Sequence, residues 1–377
     1  METPDPSALN DILSALQLVP DLRRRERERT GRRGREHVRP WDVEREVAPP
    51  VDAPLADAPP TPAPAAAPLV DPPLVSVVMP SLNQGRFIER TLDSVLGQGY
   101  PRLELLVIDG GSQDETVAIL ERYRERHRGV LDFVSEPDRG QAHAVNKGLD
   151  RARGEVIGWL NSDDLYEPGC LGHVARAFAA DPGCDAVYGH ARYVDTDDRP
   201  LGPYPSRPGF DWAALAHECY ICQPTVFWRR RVLERGLRLD ERLDLCMDYD
   251  FWIRLGREHE IRFLARRLAS SRIYYEAKTL KYRSRIFDEV FATVRRHYGF
   301  VPLSWTLGKA HHEHDLSDPL FPVRRPTWKT YRAAIWLALR HNAARPRFWP
   351  RLLREGARVS LHKLRREWAA RFETRLK

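Results

Sequence analysis

The segment EVIGWLNSDD (155–164) sets two adjacent carboxylates, Asp163 and Asp164, directly after an apolar run. Carboxylates carried to the end of a buried strand are costly to leave unpaired, so they must be solvated, hydrogen-bonded or bound to a cation. A hard divalent cation, Mn²⁺ or Mg²⁺, suits them, because these ions combine a few carboxylate oxygens with substrate phosphates. A turn or a helix cap is the plainer reading of a lone pair of this kind, and the context must decide between them. A second acidic station, Met247-Asp248-Tyr249-Asp250-Phe251-Trp252, begins 84 residues after Asp163 and sets aromatic rings beside carboxylates. Between the two lies HECYICQPT (217–225), whose Cys219 and Cys222 form a C-x-x-C with no second pair at zinc spacing and read as small buried thiols. The cluster His311, His312 and His314 reads as part of an exposed linker.

These stations need elements that hold them. LVSVVMP (74–80) is a β-branched apolar run stopped by Pro80 and predicts a buried strand, and RFIERTLDSVLGQ (86–98) has helical periodicity. ELLVIDGG (104–111) predicts a second strand, followed by a helix to about Arg126. VLDFVSE (130–136), QAHAVNKGLDRAR (141–153) and EVIGWL (155–160) then predict strand, helix and strand. Apolar strands separated by single helices require a mostly parallel, Rossmann-like α/β sheet with flanking helices on both faces and ligands at the carboxyl ends of its strands. The residues of interest fall at those ends.

The flanks differ in kind. Residues 22–39 carry nine Arg against three acids, and 47–73 carry ten Pro among Ala, a composition that buries no core. Residues 1–73 are therefore expected to be a disordered arm and linker, with a short amphipathic helix over 7–18. The net charge is +7, yet 322–377 alone holds 16 Lys or Arg against Glu355, Glu367 and Glu373, so the rest of the chain is acidic. Interleaved with Trp328, Tyr331, Trp336, Phe348, Trp349 and Trp368, this charge predicts a basic helical tail over 301–377. Such helices either pack on the body over 74–300 or lie on an anionic membrane surface. No nucleic-acid motif accompanies the charge, so nucleic acid is not an expected partner. Five cysteines, an odd number, argue for a reducing compartment. No apolar run reaches the roughly 18 to 20 residues of a membrane span. The expected location is the cytoplasm, peripheral to the inner face of the cell membrane if the tail binds lipid.

The order of motifs carries a resemblance. SVVMPSLNQGRFIERTLDSVLGQGYPRLELLVIDGGSQDET and EPDRGQAHAVNKGLDRARGEVIGWLNSDDLYEPG resemble the GT-A inverting glycosyltransferases of family 2. The shared order is Pro-x-x-Asn, Asp-Gly-Gly-Ser with Asp-x-Thr, Ala-x-Asn-x-Gly and the aspartate motif, within a likeness over about 74–255. The resemblance implies a GT-A fold and transfer of a sugar from a nucleotide-diphosphate donor, UDP-linked by default, to a saccharide, lipid-linked or protein acceptor in cell-surface or extracellular glycan synthesis. It further implies that Pro80, Ser81 and Asn83 border the base and that Asp109 hydrogen-bonds it. Asp138, Arg139 and Gly140 would line the donor groove, with Asn146 and Lys147 on the next helix. Asn161 stands where the family has the first Asp of its motif, leaving Asp163 as first metal ligand and Asp164 beside it for the divalent cofactor.

At the second station the family has Glu-Asp opening a helix. Met247 replaces the Glu, and Asp248 matches the Asp that accepts the proton of the attacking hydroxyl. The resemblance points Gln223 at the acceptor, and Trp252 supplies a ring for a sugar face or, by helical spacing, belongs to the core. Where the family tends to carry a metal-binding His before Lys-Thr, this chain has Tyr274 ahead of Lys278-Thr279. The departures at Asn161, Met247 and Tyr274 keep a second class open, a catalytically inactive relative serving as a scaffold at the membrane surface.

Overall fold

β1 (Val75–Ser81) and β2 (Leu103–Asp109) are buried along all seven residues each, as strands covered on both faces must be. They pair in parallel, with Ser81 opposite Asp109 at their carboxyl ends. β3 (Leu131–Ser135) joins β2 and β4 (Val156–Trp159) joins β1, again in parallel. Between these strands run α1 (Gly85–Leu96), α2 (Thr116–Arg126) and α3 (Gln141–Arg151). The computed structural model describes residues 71–274, 276–315, 327–345 and 348–350. The arm up to residue 70 and the tail beyond 350 lie outside the described residues.

Helix spacing explains how the layers seat. α1 buries Phe87, Ile88, Thr91, Leu92 and Val95 on one stripe. α3 turns Ala142, Val145 and Leu149 to the opposite sheet face, and Gly148 lets it approach β1 closely, since a Cβ there would collide with Val78. One core layer joins Val78, Trp159, Trp228, Phe251 and Trp252; the other joins Ile88, Leu92, Val107, Leu120 and Phe178.

Beyond β4 the pairing changes hand. β8 (Phe227–Arg229) runs antiparallel to β4, and β6 (Ala186–Val194) runs antiparallel to β8. The long β9 (Ile261–Arg272) lies parallel to β6 and receives β5 (Leu165–Tyr166) at its far end. The sheet order is β3-β2-β1-β4-β8-β6-β9-β5, with β7 (Pro200–Pro203) paired to β6. α4 (Cys170–Ala180) follows β5; two short helices, α5 (Trp212–Leu215) and α6 (Arg231–Glu234), flank β8, and α7 (Met247–Glu258) precedes β9. After β9 come α8 (Lys278–Lys281), α9 (Arg283–Tyr298), α10 (Leu303–Asp315) and α11 (Trp328–His341).

The histidines read as an exposed linker belong instead to α10, where His311 is buried. α10 and α11 share a small core of Leu303, Leu307, Ala310, Tyr331, Ala334 and Ala338. This part of the tail packs on the body, while Trp336 remains 57% exposed beneath the guanidinium of Arg340. No helix among the described residues is long and apolar enough to cross a membrane.

Candidate functional site

A cleft of about 640 Å³ opens at the carboxyl ends of β1 and β4. The aspartate turn forms its floor. Past Trp159 the chain reverses with Asp164 N–H donating to Asn161 O at 3.1 Å, and α1 anchors the turn through Thr91 Oγ1, which donates to Ser162 O at 3.0 Å. The end of β9 clamps it from the other side. Arg272, fully buried by its side chain, donates from Nε to Asp163 O at 2.7 Å and from N to Asp164 Oδ1 at 2.8 Å, pairs with Asp198, and stacks over Phe87. Tyr274 donates its hydroxyl to Asp163 Oδ2 at 2.6 Å.

Burial pushes both carboxylates above the usual range, Asp164 to about 8, with the neighbouring Asp163 charge adding to burial. Tyr274 opposes this at Asp163, and Arg272 N–H and Ser271 oppose it at Asp164. Two crowded carboxylates that burial drives toward protonation fit a divalent cation, whose charge would relieve both effects. Among the described residues no group of three or more His, Cys, Asp or Glu side chains gathers at a metal-binding distance. The protein thus offers two carboxylates, and phosphate oxygens and water would complete the shell.

Asp248 faces the same cleft from the first turn of α7. Glu289 on α9 ties down the segment just ahead of this helix, accepting from Leu245 N at 2.8 Å and Cys246 N at 3.2 Å. Among the described residues Asp248 accepts from backbone N–H groups alone, Tyr249 N at 2.7 Å among them, and burial pushes it up to about 6. Asp250, two residues on, points the other way. It is fully buried and held by Arg254 at 2.7 Å, His297 at 2.7 Å and Arg296. Burial alone would raise Asp250, but His297 and Arg254 carry it below its usual range. Asp250→Ala should therefore cost about 2–3 kcal/mol in urea unfolding, the low side for a broken buried pair because both arginines can turn to water. An unchanged midpoint would show that the network contributes nothing.

Of the residues singled out from sequence, Pro80, Ser81, Asp138, Gly140, Asn161, Asp163, Asp164, Gln223 and Asp248 line the cleft. Ser81 Oγ and Gln223 Oε1 are buried there without a partner among the described residues. Asn161 Oδ1 is oriented by Trp159 Nε1 at 3.0 Å and Gln141 Nε2 at 2.8 Å. Asp138 Oδ1 accepts from Gly140 N at 2.7 Å, and the absence of a Cβ at Gly110 leaves room for its other oxygen.

Six others do not line it. Asp109 is fully buried, and its oxygens accept from Gly111 N, Ser112 N, Ser112 Oγ and Ser135 Oγ at 2.5–3.1 Å, which shapes the loop and ties it to β3. Asn83, in the left-handed region at φ 51°, bridges the β1 and β2 loops through Ser112 Oγ and Gln113 N. Asn146 holds the 239–241 loop through Leu239 and Glu241, Arg139 pairs with that Glu241 at 2.6 Å, and Lys147 pairs with Glu136. Trp252 is fully buried against Trp159 and Trp228 and belongs to the core, not to an acceptor face.

Arg272, Glu289 and Arg283 carry weight in the structure that spacing did not reveal. Arg272 had a signal, the Arg two positions before Tyr274; Glu289 had none, because it caps a segment 43 to 45 residues away.

Comparison with known proteins places the chain in a family. Residues 76–237 match the sequence profile described as glycosyl transferase family 2. The chain is 29% identical to Escherichia coli chondroitin synthase over 188 residues, covering 49% of this chain and 26% of that protein. It is 32% identical over 183 residues to a Mycobacterium bovis PGL/p-HBAD biosynthesis glycosyltransferase, covering 48% of this chain and 69% of the other. The chain thus spans about a quarter of the first relative's length. In fold it is similar to S. aureus TarS 1–349 in complex with UDP-GlcNAc, with TM-score 0.50, 17% identity, and coverage of 76% of this chain and 88% of that one. That likeness is one of the GT-A fold.

Proposed function

The chain belongs to glycosyl transferase family 2, and from that premise we propose that it moves a sugar, with inversion, from a nucleoside diphosphate to an acceptor hydroxyl. The observation that carries the reading is one cleft with two acidic stations, Asp163 and Asp164 at the end of β4 and Asp248 at the start of α7. Asp163 and Asp164 would hold a divalent cation, which when bound supplies Lewis-acid stabilisation of the leaving diphosphate. Ser81, Asp138 and Asn161 border the nucleotide. Asp248 takes the proton as the acceptor oxygen bonds to the anomeric carbon and the bond to diphosphate breaks, so the base and the leaving group stand on opposite faces of the sugar. UDP is the proposed base carrier, and the product a cell-surface glycan or glycoconjugate. Exposed Trp328, Trp336 and Trp349, the second of them under Arg340, support a tail that rests on an anionic membrane from the cytoplasmic side.

The test is release of nucleoside diphosphate by the full chain with Mn²⁺ from a panel of UDP- and GDP-sugars. Release confined to one base is expected. If no donor is bound or turned over, the chain is an inactive relative, and the tail becomes its working part.

A further inference from the structure

One wall of the cleft is built by α9 and α10, which follow the segment matching the family profile. Arg283, the first residue of α9, lines this wall. The neighbouring cations have partners: Arg272 is paired with Asp198, and Lys278 with Asp244 at 3.0 Å. Arg283 makes neither an ion pair nor a hydrogen bond among the described residues. Its neighbours are the Phe287 ring, 5.6 Å from the guanidinium carbon, the Tyr193 hydroxyl and His312. No acidic residue stands in the first turn of α9. Burial pulls the guanidinium below its usual range, with only Tyr193 acting the other way. His312 is held neutral, pushed down to about 4 by burial and by Arg283, and its Nδ1 is buried with no partner among the described residues.

A part-buried cation with no acidic partner, beside an imidazole nitrogen that has none among the described residues, is left short of interactions unless an anion enters. Packing on Phe287 alone would be served as well by Leu or Met. The donor diphosphate is the competing occupant, and UDP affinity tells the two apart: the guanidinium bonded to the aspartate turn is that of Arg272, whereas Arg283 makes no bond there. We propose that Arg283 receives an anionic group on the acceptor, a carboxylate or a phosphate, so that the acceptor is an acidic saccharide. This deepens the glycosyltransferase reading and rests on it.

Binding to the full chain with UDP and Mn²⁺ present, followed by tryptophan fluorescence, tests it with three probes: methyl glucuronide, glucose 6-phosphate and neutral methyl glucoside. One acidic probe should bind at least about tenfold more tightly than the glucoside, a bidentate guanidinium contact being worth that much. Which one it is tells carboxylate from phosphate. The preference should fall below about twofold in Arg283→Gln and survive in part in Arg283→Lys. Both variants should keep wild-type UDP affinity and a melting temperature no lower than wild type, since no partner is lost. Equal binding of all three probes, a preference that persists in Arg283→Gln, or a large fall in melting temperature in both variants would overturn the proposal. UDP binding by the wild type is read separately, so failure of the glycosyltransferase reading shows as loss of that signal alone.

Discussion

Asp248→Asn is expected to lower kcat by roughly 10²- to 10⁴-fold, the range for a lost general base, with donor affinity and KM nearly unchanged. Three features single this residue out. It lines the cleft, Glu289 and not Asp248 ties down the segment ahead of the helix, and no cation pairs with it among the described residues, so burial, opposed only by backbone N–H groups, raises its affinity for a proton. A base pushed up to about 6 is ionised at neutral pH yet more basic than an ordinary carboxylate. The rate should thus rise about tenfold per pH unit below 6 and level off above it. Stability should move the opposite way. Because the folded-state value lies above the ordinary 3.8, the native state binds more protons between pH 3.8 and 6, and stability is lost as pH rises through that window. At pH 8 the whole penalty is present, so Asp248→Asn should be more stable than wild type by about 1–3 kcal/mol, and near equal to it at pH 4. A variant that is both active and less stable would make Asp248 a structural residue and return the base to another group.

The contrast between Asp248 and Asp250 shows where a sequence stops informing. Both sit in one acidic aromatic run, yet helix geometry sends one to the cleft and the other into a cage of Arg254, Arg296 and His297, of which the last two lie on α9. Strands β1 to β4 and the helices between them were legible because each buries a local, periodic pattern. β5 and β8, two and three residues long, were not, since pairing with distant β9 and with β4 and β6 defines them. The same limit governs the site. The end of a strand can be placed from its pattern, and Ser81, Asp138, Asn161 and Asp163, each just at or past such an end, lie on the cleft. Whether a carboxylate there is free cannot be placed: Asp109 occupies an equivalent strand end with its oxygens taken up by its own loop and by Ser135 of β3. Asn146 is spent on a loop more than ninety residues away, at Leu239 and Glu241.

The second large effect concerns Asp163. UDP at about 100 times its dissociation constant, with Mn²⁺, should stabilise the wild type by roughly 2.7 kcal/mol, a rise of several degrees in melting temperature. In Asp163→Asn that rise should vanish, whereas Asp164→Asn should keep part of it. The asymmetry follows from bonding: Asp164 Oδ1 is committed to Arg272 N–H and its carboxylate also to Ser271, while Asp163 gives only Oδ2, to Tyr274. Without nucleotide or metal, Asp163→Asn should melt no lower than wild type, because it removes one of two crowded buried charges and keeps an acceptor for the Tyr274 hydroxyl. Tyr274→Phe isolates that hydroxyl. It frees Asp163 Oδ2, so the metal-dependent rise should persist or grow, and its loss would instead make the phenol part of the shell. A nucleotide-induced rise that is equal with and without Mn²⁺, and unchanged in Asp163→Asn, would remove the two-carboxylate cation site and leave the diphosphate to be held by the cleft's polar side chains alone.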